Sequence, residues 1–339
     1  MNRFAWLVRR ELWEHRAIWL APAVVLGLLV LVAATGQINL GEMNFDSSQE
    51  IEEMSPEQRE RLERELQKEF GDEAPQVMAR IEAGHTGTLL TMLPQEKQVA
   101  LVTVIYALLT VLMFVVLGTI AFFYALDSLY ADRRDRSVLF WKSLPLSDAE
   151  TVLSKYFVVI VAIPLIAAVA SVAAQLIVAT GGSIKLALAG DPAGLMWNRT
   201  ALLGGLGAAT LMPLATALWY APVAAYLLLA SAWAPKSPFL WAVLPPAAGV
   251  VLERIAFGSD YIGNFLVSRL LGLFKAIADD ESGTPGIVVQ SRNLPETANM
   301  LISRLADTLL SPAMLLGLVA AAAMIAGAIW VRRYRDETI

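Results

Sequence analysis

The sequence predicts an all-α integral membrane protein with six transmembrane helices, and three observations carry that expectation. Apolar residues make up 57% of the 339-residue chain and charged residues 17%, where a soluble domain sits at about 45–50% and about 25%. The excess gathers in uncharged stretches, and crossing a bilayer as a helix takes about 20 apolar residues. The arginines near the spans fall in three clusters that six crossings place on one side. The length then goes into one membrane domain, 17–339, preceded by a short helix at 1–16.

Residues 1–16 read as an amphipathic surface helix. Phe4, Val8 and Leu12 share one face, and Arg3, Arg10 and Glu14 share another. Trp6 and Trp13 suit the headgroup layer. Leu7 is the imperfection, falling on the polar side. The first span follows at Ala17–Ala34. It exceeds the 7–15 residues of a signal-peptide apolar run, and Glu11 and Glu14 are foreign to a signal n-region.

The segment 37–97 holds most of the acidity behind the net charge of −5. It predicts a helical extracytoplasmic insertion. Ser55 can cap a helix, Pro56 fits its first position and Gln58 completes a capping box. Leu62, Leu66 and Phe70 form a narrow stripe that Gly71 ends. A second short helix is expected from Pro75 to Gly84. The segment reads as a solvated hairpin or as a docking surface for an extracytoplasmic protein.

The remaining spans are expected at Val99–Leu126, Tyr156–Thr180, Thr200–Ala234, Phe239–Phe257 and Leu310–Val331. The fourth is too long for one simple crossing, and Pro213 and Pro222 can kink it. Charge decides its parity. Arg3, Arg9, Arg10 and Arg16 precede the first span. Arg133, Arg134, Arg136 and Lys142 lie between the second and third, and Arg332, Arg333 and Arg335 follow the sixth. A single kinked or tilted helix keeps all three clusters, and both termini, cytoplasmic. Residues 258–311 read as outer membrane-surface helices over Ile262–Ile277 and Thr297–Leu310 that lie on the bilayer or dip into it.

Several chemistries lack their residues. The chain has no cysteine and two histidines, His15 and His85, so disulfides, thiolate chemistry and histidine metal clusters are excluded and no metal site is expected. No phosphate-binding loop, metalloprotease or serine-hydrolase motif occurs, and no catalytic residue is expected. No basic, aromatic-interleaved face suggests nucleic acid. An ion-coupled carrier needs carboxylates within its spans. Glu253 and Arg254 come nearest, and they read as an interfacial or mutually paired couple.

The segment 127–154 is the informative one. A charge cluster at Asp132–Arg136 gives way to Val138, Leu139, Phe140 and Trp141. The chain then turns at Leu144-Pro145-Leu146, and Ser147 can cap the next helix with Glu150 three residues on. A short apolar segment between charged flanks needs a partner, either lipid headgroups or a protein socket.

The run Asp132–Asp148 resembles the loop between spans two and three of type 2 ABC exporter permeases. The likeness extends to the surface helix, the six-span plan and the outer helices before span six. It implies two permease units, identical or paralogous, each seated on a cytoplasmic ABC ATPase subunit that holds the ATP and Mg. The permease itself would carry no cofactor and no ATPase site. The likeness also implies that Arg133, Arg134, Arg136, Phe140, Trp141, Leu144, Pro145 and Leu146 form the ATPase-coupling loop, braced by the surface helix with Trp6, Arg10 and Trp13. The location implied is the plasma membrane, the inner membrane of a bacterium, with membrane lipid as a further partner.

Tyr106, Tyr124, Gln175 and Tyr220 are the polar residues within spans that could line a path or bond neighbouring helices. An ion-coupled secondary carrier and a membrane-anchored sensor or binding protein are the alternative classes. An ATPase that co-purifies with the chain separates them from the exporter.

Overall fold

The computed structural model describes residues 3–35, 55–71, 74–75, 78, 95–135, 146–278 and 311–335. Its helices are α1 (Arg3–Glu14), α2 (Ala17–Ala34), α3 (Pro56–Phe70), α4 (Gln95–Arg134), α5 (Asp148–Leu188), α6 (Arg199–Trp219), α7 (Ala221–Trp233), α8 (Pro238–Phe257), α9 (Tyr261–Ala278) and α10 (Pro312–Arg335). A 3₁₀ turn, Ala193–Trp197, joins α5 to α6. Among the described residues, six helical stretches are long and apolar enough to cross a membrane.

At a rise of about 1.5 Å per residue, α4 and α5 each run about 60 Å, twice the hydrocarbon thickness. Both therefore project beyond the bilayer. Helix α5 is not uniform. Pro164 offers no N–H to the carbonyl four residues before it, and Val158–Ala162 relaxes into a π turn in which Ile163 N donates to the Val158 carbonyl.

The predicted fourth span departs from a single kinked helix. It breaks at Tyr220 into α6 and α7, with Pro222 in the first turn of α7. The two pieces still make one traverse. At one end of the bundle, Tyr106 of α4 bonds the Met196 carbonyl just before α6. At the other, the backbone N–H groups of Leu129 and Tyr130 donate to Ser231 Oγ of α7 at 3.1 and 3.0 Å. The parity of six crossings is kept because the break bends this one without reversing it.

Small residues let these helices approach closely. Leu228 is fully buried on α7, and Ala221, Ala224, Ala225 and Ala232 around it keep the helix surface thin. That surface packs against α4 and α10, where Ala321, Ile325 and Ala328 are buried.

Helix α8 starts just after the end of α7 and runs back beside it, and Tyr226 Oη of α7 donates to the Ala242 carbonyl at 2.9 Å. Gly258 closes α8 with φ of +62°, a conformation that costs glycine little. Glu253 and Arg254 are not a mutual pair, as one of the two sequence alternatives had it. The Glu253 carboxylate accepts from Ser259 Oγ and from the N–H groups of Tyr261 and Ile262, and so caps α9. Arg254 turns out toward Asp260. The orphan N–H groups at the start of α9 outcompete the neighbouring cation because they converge on one carboxylate.

Helix α9 reaches inward to the α6–α7 break, where Trp219 Nε1 donates to the Arg269 carbonyl at 2.8 Å and Tyr220 Oη to the Leu270 carbonyl at 2.9 Å. In the acidic insertion, α3 begins at Pro56 and Gly71 follows its end with φ of +56°, as its sequence signals predicted. The side chains of Gln58, Leu66 and Phe70, the expected second helix at 75–84 and the helix at 297–310 lie outside the residues described in full.

Candidate functional site

The site is built where α1, α4, α5 and α10 meet, among the residues that flank segment 136–145. Asp132 stands in the last turn of α4 and Asp148 opens α5. Arg332 of α10 bonds both: its Nη1 lies 3.0 Å from Asp132 Oδ2 and its Nε 3.2 Å from Asp148 Oδ1. The Arg332 side chain is 3% exposed, so this is a buried, charge-assisted clasp.

A second cation extends it. Lys155 Nζ, further along α5, lies 3.7 Å from Asp132 Oδ1 and 3.0 Å from Glu11 Oε1. Glu11 also accepts from Tyr124 Oη at 2.8 Å and from Arg10. His15 stacks edge-on against the Tyr124 ring. Burial alone would raise the Glu11 carboxyl. The Lys155 and Arg10 charges, with hydrogen bonds from Lys155 and Tyr124, outweigh it and bring the group down from 4.5 to about 2. Glu11 is therefore ionised, and the alternating chain Glu11–Lys155–Asp132–Arg332–Asp148, with Arg10 on Glu11, sets three cations against three carboxylates.

The network corrects the reading of α1. Leu7 and Glu11 form its buried face, while Phe4, Val8 and Leu12 are half-buried. Glu11 faces inward because its cation, Lys155, sits on α5. Of the remaining surface-helix residues, Arg10 pairs with Glu11 and Glu14, and Trp6 and Trp13 are exposed.

The predicted coupling residues divide. Arg133 Nη2 donates to the carbonyls of Ser231 and Ala234 at 2.6 and 2.9 Å, closing the C-terminal end of α7. Arg134 is exposed and pairs with Asp135 and Asp127. Leu146 is half-buried beside Ser147, whose reciprocal capping box with Glu150 starts α5 as expected. Arg136, Phe140, Trp141, Leu144 and Pro145 lie outside the described residues.

Tyr106, Tyr124 and Gln175 are buried and bond across helices within the chain. Tyr106 Oη donates to the Met196 carbonyl, and Gln175 Nε2 donates to Thr110 Oγ1 at 3.0 Å and to the Gly205 carbonyl at 3.2 Å. A Cβ at Gly205 would come within 2.9 Å of Gln175 Oε1, so glycine is what admits this contact. Tyr220 is half-buried and tied to α9.

Sequence reasoning missed Glu11, Lys155, Asp132, Asp148 and Arg332 as a group. It also missed Arg269, which is 6% exposed and lies with its guanidinium over the Trp219 ring, 4.7 Å from the centroid. The available signal was Lys155, a lone cation at the threshold of a long apolar run, since charges at such positions are retained only with partners.

Residues 95–189 match the family model described as ABC-2 family transporter protein. The matched segment begins with α4 and ends just after α5, so it contains Asp132, Asp148 and Lys155. With the six apolar helices, it supports a multi-pass membrane subunit of an ABC transporter. Comparison with curated proteins and with solved structures found no match.

Proposed function

We propose that the chain is the permease of an ATP-driven exporter, with the ATP and Mg held and hydrolysed on a separate cytoplasmic ATPase subunit. The observation that carries this reading is the clasp of Arg332 on Asp132 and Asp148, which ties together the helices on either side of segment 136–145. A segment with Phe140 and Trp141 at its centre, mounted on two long helices and gripped by a third, is suited to take up force from a partner. Movement of the loop would pass directly into α4, α5 and α10, and through Lys155 and Glu11 into α1. The ABC-2 region spans the two helices and the loop between them. Two such units, identical or paralogous, would enclose the path, with both termini and the ionic end of the bundle on the cytoplasmic side of a bacterial inner membrane.

The test is capture of the ATPase. A Phe140→Ala/Trp141→Ala variant should insert normally and lose the ATPase during detergent purification, because aromatic anchors dominate interfaces and their truncation often costs about 2 kcal/mol or more. Full retention with normal transport would overturn the reading. Loss of the ATPase together with loss of membrane insertion would point to a folding role for the pair.

A further inference from the structure

The arginines of α1 and its linker part into two kinds. Arg10 faces Glu11 and Glu14. Arg9 and Arg16 are exposed and have no ion pair among the described residues. Both line a groove of about 1050 Å³ between α1 and α2. Its walls are apolar, with Val8, Leu12, Leu20 and Phe157. Trp13 and Trp19 also line it, and Trp19 Nε1 is fixed by a 2.9 Å bond to the Leu12 carbonyl.

We infer that this groove is a binding site for an anionic phospholipid, its phosphate held by Arg9 and Arg16 and its acyl chains lying along α2. Charge complementarity commits the site to this occupant. Two cations without counter-ions among the described residues flank an apolar trough at the point where an amphipathic helix turns into a membrane span. Indole rings favour the same headgroup level. The volume is ample, since pockets of about 300–1,000 Å³ enclose drug-sized ligands. The exposed outer face of α2, with Leu20, Val24, Leu28 and Leu31, continues the trough toward the bilayer interior. The site depends on membrane insertion and not on the ATPase reading, so the two stand or fall by different measurements.

The full chain would be reconstituted in nanodiscs of equal parts phosphatidylglycerol and phosphatidylcholine, released into mild detergent, and its retained lipid identified by native mass spectrometry. Each basic residue near an anionic surface contributes about 1 kcal/mol, so loss of both in Arg9→Gln/Arg16→Gln should reduce the preference for phosphatidylglycerol about thirtyfold. Arg333→Gln removes a cation from the same end of the bundle but outside the groove, and should leave the preference unchanged. Ala23→Trp narrows the apolar trough with both arginines intact and should also lower the preference for phosphatidylglycerol, which keeps the test decisive if the double variant folds poorly. Equal retention of the two lipids by the wild type would overturn the site. So would an undiminished preference in a folded double variant or in Ala23→Trp, or an equal loss in Arg333→Gln, which would mark diffuse surface charge.

Discussion

Arg332 bonds Asp132 and Asp148 at 3.0 and 3.2 Å, and so one side chain from the last helix holds both ends of the segment that separates α4 from α5. Neither carboxylate could be inferred as its partner from local sequence, since 200 and 184 positions separate them from it.

Arg332→Gln should leave Asp132 buried without its 3.0 Å guanidinium partner. Breaking a buried pair from one side costs about 3–5 kcal/mol. The expected result is a lower melting temperature in detergent and an ATPase that is still captured but no longer changes its rate on binding the permease. Arg332→Lys should recover part of both, because an ammonium can reach one carboxylate but cannot fork to two. Wild-type melting and wild-type ATPase response in Arg332→Gln would remove the clasp from the mechanism.

The docking of α1 should depend on acid. The folded value of Glu11, about 2, lies below the ordinary 4.5. The carboxylate therefore contributes stability that is complete above about pH 4.5 and is lost as the pH falls toward 2. A Leu7→Cys variant reports this without background, since the chain has no cysteine and Leu7 is 1% exposed. Dithiodipyridine, which reacts with thiols in acid, should leave the thiol unmodified near neutrality and modify it faster through that window. Adding Glu11→Gln should expose the thiol even at pH 7. Protection that is flat from pH 7 to 2 would contradict the assignment.

Arg133 and Arg134, adjacent in sequence, should differ in effect. Arg133→Ala removes charge-assisted bonds to two backbone carbonyls and should destabilise the bundle by about 2 kcal/mol. Arg134→Ala removes exposed ion pairs and a 5.8 Å contact with the Tyr130 ring, and should lower the melting temperature far less than Arg133→Ala. Equal losses in thermal melts of the two variants would show that the α7 closure is not specific to Arg133.

Orientation is open to direct labelling. Cysteines introduced at Glu57 and Asp336 should react differently with a membrane-impermeant reagent in intact cells, Glu57→Cys labelling and Asp336→Cys remaining protected until lysis. The reverse pattern would invert the topology proposed for the chain.

What the sequence made legible was whatever local chemistry decides. Six apolar stretches, the Ser147 capping box and the Gly71 stop follow from neighbours a few residues apart, and the structure has them. The break at Tyr220 was visible only as a kink, because Pro213 and Pro222 tell where a helix is weak but not whether packing against α9 will open it. Glu11 was missed for a related reason. A carboxylate is placed in water by default, and the default fails when a cation 144 positions away is buried beneath it.

The π turn at Val158–Ala162 sets an angular phase. In an uninterrupted α-helix, successive residues rotate by about 100°, and Lys155 and Ala167 would point about 120° apart. A π turn absorbs one residue, and the angle falls to about 20°. Both residues are in fact buried, at 2% and 1% exposure. The single wide turn thus lets one helix keep its ionic face and its apolar seam on the same meridian. Winding 155–167 as regular α-helix without removing a residue would swing Lys155 by about 100° relative to the seam. The ion chain and the membrane packing could then not both be satisfied.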